Sequence, residues 1–144
     1  MEQLVLIDRD AAKQLFRTHD PDDLVQFVQD LAADPRVSTL RLPDRWPEWD
    51  KMFHDADVAP TTLQWALTGG RDMDVGDSGN RIQLKRPDVV VQIAEAIRQF
   101  GKIKRDDDVF GTALELFYAT AAEGGSAVLF VSWPQEASST EISK

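Results

Sequence analysis

The residues that could do chemistry stand at spacings that chemistry does not use. Gly76-Asp77-Ser78-Gly79 matches the tetrapeptide around the nucleophile of trypsin-like proteases. That reaction needs a histidine base oriented by a buried aspartate, on a two-barrel scaffold much larger than this chain. His54 is the one base available to it, and it falls on a predicted short helix, so the tetrapeptide reads as a surface turn. Asp72-x-Asp74, with Gly76 and Asp77 after it, has the look of a calcium loop. An EF-hand, however, puts its glycine at position six and a glutamate at position twelve. Here the glycine comes at position five and Gln83 stands at position twelve. His19 and His54 are the two histidines; they form no His-x-x-x-His pair, and the chain has no cysteine, so neither a zinc site nor a disulfide is expected. No Gly-Lys-Ser/Thr follows Gly69-Gly70, which reads as a helix stop rather than a phosphate cradle. The expectation is a protein that is not an enzyme and uses no cofactor or metal.

Binding is better represented than catalysis. Trp46, Trp49, Phe53 and Trp65 lie close together, interleaved with Asp44, Glu48, Asp50, Asp55 and Asp57. The aromatic residues could fill the core of a segment poor in large aliphatics, or they could anchor a partner. Interfaces favour aromatic anchors, and carboxylates around them suit a basic surface. The candidate partner-binding residues are therefore Asp44, Trp46, Glu48, Trp49, Asp50, Asp55 and Asp57.

The charge distribution agrees. The net charge is −9; residues 1–80 hold 16 acidic and 8 basic side chains, and residues 81–144 hold 9 and 8. Seven basic groups fall within residues 81–105. A nucleic-acid binder needs a dominant basic face, so an acidic chain argues against that role. Acidity promotes solubility and steers association with basic partners. The amino terminus lacks the basic start and apolar stretch of a secretion signal, and no apolar run approaches bilayer length. A soluble, cytoplasmic protein is expected, with no membrane partner, as a monomer or weak dimer.

The elements that must position these residues follow from pattern. With 144 residues, 42% of them apolar, the chain fits one domain. Gln3 to Ile7 reads as a strand, and Arg9–Arg17 as a helix with Ala12, Leu15 and Phe16 on one face. Asp20-Pro21-Asp22-Asp23 is a strong helix start. Leu24, Phe27, Val28 and Leu31 then form one stripe, ended by Asp34-Pro35. Prolines 43, 47 and 60 break the middle into short helices near 47–55 and 61–68, followed by a polar loop over 71–80. Arg81 to Leu84 reads as a strand, Pro87 opens a helix that Gly101 closes, and Asp106-Asp107-Asp108 caps another carrying Phe110, Leu114, Phe117, Tyr118 and Ala121. Gly124-Gly125 ends it. The continuously apolar run Ala127 to Val131 belongs inside a sheet. The expected fold is α+β: a single domain over 1–134 with several helices on a small sheet that includes strands near 3–7 and 126–132, then a flexible tail over 135–144.

Three segments together resemble the YfbM-like family, a group of mostly uncharacterised bacterial proteins. They are Leu67-Thr68-Gly69-Gly70, the stretch from Pro87 to Ile97, and the stretch from Leu116 to Phe130. Asp44-Arg45-Trp46 echoes the family's Asp-Lys-x-Trp. The similarity covers roughly residues 60–131 and involves mostly packing positions, so it speaks to fold more than function. Some relatives are encoded beside bacterial toxins, which implies an immunity role by association. The chain departs from the family in its proline-broken middle and compact 71–80 loop, where a partner-specific surface is expected.

The leading expectation is an immunity-type protein that occludes the active site of a cognate toxin through its acidic, aromatic first half. The alternative is a small-molecule-binding or regulatory domain that uses the groove between the Gly69-Gly70 turn and the helix near 88–100.

Overall fold

The computed structural model describes residues 2–55, 61–73, 79–103 and 109–133. Strand β1 (Glu2–Ile7) leads into α1 (Arg9–Arg17) and α2 (Pro21–Ala33). Both helices begin where local chemistry demands it. Asp8 accepts a hydrogen bond from the Ala11 N–H at 2.8 Å, and Asp20 accepts from the N–H groups of Asp22 and Asp23 at 2.8 and 3.2 Å. Pro21 at the first helical position has no N–H to leave unsatisfied. Next come β2 (Thr39–Arg41), α3 (Trp46–Asp55), a 3-10 helix at Thr61–Trp65, β3 (Arg71–Asp72) and β4 (Arg81–Lys85). Helices α4 (Pro87–Ile103) and α5 (Val109–Glu123) precede the last strand, β5 (Ala127–Ser132).

The five strands form one antiparallel sheet in the order β2-β1-β5-β4-β3. As its apolar run requires, β5 lies at the centre, buried on both faces. Register sorts the side chains into two cores. Leu4, opposite Phe130, faces α3, the 3-10 helix, α4 and α5. Val5, opposite Leu129, faces α1 and α2, where Leu15, Leu24 and Val28 complete the second core. The fold is α+β, with helices covering both sides of the sheet. Among the described residues no helix is long and apolar enough to cross a membrane.

Four expectations need correction. Helix α4 does not stop at Gly101 but runs to Ile103; an interior glycine costs a helix only about 1 kcal/mol, so it does not by itself end one. The helix expected over 61–68 is only a five-residue 3-10 turn, because the chain must reverse at Gly69 and Gly70. Arg71 and Asp72 are paired rather than looped: β4 supplies an open edge, and the Met73 N–H continues the ladder to the Ile82 carbonyl at 2.9 Å. Thr39–Arg41 is a strand where none was expected. Residues 74–78, the Asp106–Asp108 cap and the tail over 135–144 lie outside the described residues.

Candidate functional site

The site grows from the turn at residues 67–70. Gly69 and Gly70 hold φ of +109° and +98°, a backbone region that L side chains rarely enter. A Cβ on Gly70 would collide with the main-chain oxygen of Leu84, so the turn lies directly on β4. On that strand the inward face carries two polar residues, Gln83 and Lys85, which are 7% and 1% exposed. Both are explained by the turn they reach. Gln83 accepts from the Gly69 N–H at 2.8 Å through Oε1 and donates to Asp72 Oδ1 at 2.9 Å through Nε2. Lys85 Nζ donates to the Gly69 carbonyl at 3.0 Å. One residue earlier, the Thr68 hydroxyl donates to the Asp50 carboxylate at 2.9 Å, tying the turn to α3. From below, Tyr118 donates to the Ala66 carbonyl at 2.6 Å. These bonds give the buried and half-buried polar groups of the turn the partners that burial demands.

Lys85 is the electrostatic exception. Burial pushes its ammonium down to about 7; the Asp50 carboxylate opposes that shift and the Arg81 guanidinium adds to it. Its Nζ also lies 5.9 Å from the centre of the Phe130 ring. Burial likewise raises the Tyr118 hydroxyl well above its ordinary value. His54 Nδ1 lies 2.8 Å from the main-chain oxygen of Asp50, which only an N–H can approach as a donor.

Beside the turn opens a groove of about 330 Å³, lined by Trp65, Gly70, Arg71, Leu84, Lys85, Arg86 and Val89. It occupies the place expected of a small-molecule site between the glycine pair and the helix that follows β4. A second, wider groove of about 580 Å³ lies at the opposite edge of the sheet. Residues 40–44 form one side of it, and Val109, Phe110 and Ala113 of α5 the other. Val109 is 83% exposed, and Leu116, two turns further along the same face of α5, is 67% exposed.

The residues expected to bind a partner do not form one surface. Helix α3 directs Trp46, Trp49, Asp50 and Phe53 inward, an i, i+3, i+4, i+7 stripe. Trp49 is 8% exposed and packs against Phe53 and Phe110, with ring centres 5.9 and 5.2 Å apart. It is a core residue with no ring surface to offer. Trp46 lies on Phe130 at 5.5 Å and donates through Nε1 to Glu2 at 3.1 Å. Asp50 is half-buried and serves Thr68. Asp44, Glu48 and Asp55 are exposed, but Glu48 pairs with Arg45 at 3.5 Å and Asp55 with Lys51 at 2.7 Å. Asp57 lies outside the described residues. Of the six described residues, Asp44 lines the groove between residues 40–44 and α5.

Sequence reasoning missed Lys85, Gln83 and Thr68. The alternation Arg81-Ile82-Gln83-Leu84-Lys85 is that of a strand with one wet face, and nothing local signals that a distant turn covers it. Among the described residues no group of three or more His, Cys, Asp or Glu could hold a metal ion. Comparison of the chain with protein-family models, with curated proteins and with solved structures finds no match.

Proposed function

We propose that the protein acts without catalysis by binding another protein, as an immunity-type inhibitor of a toxin with a basic surface. The carrying observation is the apolar groove along the open edge of the sheet. The Leu42 N–H donates to the Glu2 carbonyl at 3.0 Å and the Leu6 N–H to the Ser38 carbonyl at 2.9 Å. Residues 38, 40 and 42 therefore turn their backbone groups towards β1, and Thr39 and Arg41 turn theirs away from the sheet. Among the described residues no strand pairs with the outer edge of β2. An exposed edge with a pocket alongside is the arrangement used in strand addition: backbone bonds supply affinity, and alternate side chains enter the pocket.

The occupant this favours is an extended toxin segment in which apolar and basic side chains alternate. Its apolar residues would meet Leu40 and Val109. Arg41 and Asp44 both line the groove, so the preference for basic side chains rests on a first half that holds twice as many acids as bases. The resemblance to a family with members encoded beside toxins supports the reading. The proposed surface has moved from Trp46 and Trp49 to the edge of β2 and the start of α5, and keeps Asp44.

The test is calorimetric titration with the protein encoded by the adjacent gene. Val109→Lys should raise Kd at least about tenfold, as loss of an anchor contact does. Gln92→Lys, exposed on α4, should leave it unchanged. Absence of binding, or equal binding by Val109→Lys, would overturn the proposal.

A further inference from the structure

The groove at the other edge of the sheet has a different chemistry. Its described lining includes two exposed guanidinium groups, Arg71 and Arg86, and no carboxylate, on a chain of net charge −9. A concentration of positive charge against so acidic a background focuses the local field on anions. Trp65 lines the same groove and is 40% exposed, an unusual exposure for so large a ring. Leu84 and Val89 supply further apolar surface.

The two exposed cations are held in place. The Arg71 guanidinium stacks over the Phe16 ring at 5.2 Å, and Arg86 is braced by Asp88 at 3.2 Å. Each guanidinium carries five N–H donors, so both keep donors in hand while being oriented. The backbone side of the groove is equally fixed, because Gly70 lies against Leu84 and Gly69 is bonded to both Gln83 and Lys85. Side chains oriented before the ligand arrives lose little freedom on binding it.

We propose that this groove binds a nucleoside monophosphate, its phosphate held by Arg71 and Arg86 and its base against Trp65. Paired guanidinium N–H groups match phosphate oxygens, and an exposed indole is a stacking platform for a planar base. The volume of about 330 Å³ stands at the small end of ligand sites, the size of a mononucleotide rather than a dinucleotide. The site lies by β3 and β4, across the sheet from β2, so it is independent of the toxin-binding edge.

Calorimetry at pH 7 and low salt with AMP, adenosine and inorganic phosphate tests it. AMP should bind at least about tenfold more tightly than either fragment, since each contributes charge-assisted or stacking contacts of that size. Arg71→Gln and Arg86→Gln should each weaken AMP by about tenfold with the far-UV circular dichroism unchanged. Trp65→Leu should narrow the preference for AMP over phosphate, and Val109→Lys should leave AMP binding as it was. AMP binding no tighter than its fragments, or unaffected by either arginine change, would overturn the proposal. So would sensitivity to Val109→Lys.

Discussion

Replacing Lys85 by methionine tests the turn network through proton linkage. In the folded protein the ammonium loses its proton at about 7, against 10.5 when it is unperturbed. Between those values the unfolded chain holds a proton that the folded chain has released, so stability must rise with pH across that window. The contribution is complete only above 10.5 and is lost as pH falls through about 7. Across the window the unfolding constant falls about tenfold per pH unit; from pH 6 to pH 9 this amounts to roughly 3 kcal/mol. Lys85→Met keeps the volume and removes the titration. It also leaves the Gly69 carbonyl without its donor, which costs about 1–3 kcal/mol at any pH. Urea unfolding followed by tryptophan fluorescence at several pH values should therefore show a difference between wild type and Lys85→Met that depends on pH and is more favourable to the wild type at pH 9 than at pH 6. Between the two it should shift by about 3 kcal/mol. All other titrating groups are common to both proteins, so the difference isolates Lys85. A difference that does not change with pH would refute the reasoning, because it would mean that the side chain reaches water.

Two further substitutions separate the scaffold from the surface. Gly70→Ala must hold a positive φ and push its methyl group into Leu84, so it should lose roughly 3 kcal/mol in the same unfolding assay. Trp49→Ala empties a core position and should cost about 3–5 kcal/mol. One residue away, Glu48→Ala should stay within about 0.5 kcal/mol of wild type. Similar losses from Trp49→Ala and Glu48→Ala would contradict the placement of Trp49 in the core.

The parts of the fold legible in the sequence were those encoded locally. Asp20-Pro21 opens α2 because a carboxylate and a missing N–H act within one turn. The run from Ala127 to Val131 marks the central strand because every residue in it is apolar. What stayed hidden depends on partners far away in sequence. Thr39–Arg41 becomes a strand only because β1 offers it an edge, and Arg71–Asp72 only because β4 does. The same holds for the candidate sites. Lys85 and Gln83 look like solvent-facing strand residues until the turn at Gly69, 16 and 14 positions away, covers them. The inward stripe of α3 was readable from the spacing of Trp46, Trp49, Asp50 and Phe53, but the surrounding acids drew those residues into a surface reading. The basic groove was foreshadowed by the glycine pair and the helix after β4; the apolar edge groove joins segments about 65 residues apart.

Strand addition at β2 makes a claim about particular hydrogen atoms. Thr39 and Arg41 have outward N–H groups, whereas that of Leu42 is already bonded to Glu2. Amide hydrogen exchange of the protein with and without the proposed toxin partner therefore tests the central claim most directly. Exchange at Thr39 and Arg41 should slow by at least about tenfold on binding, while Leu42 changes little. Unchanged exchange at Thr39 and Arg41 in a complex that has formed would contradict it.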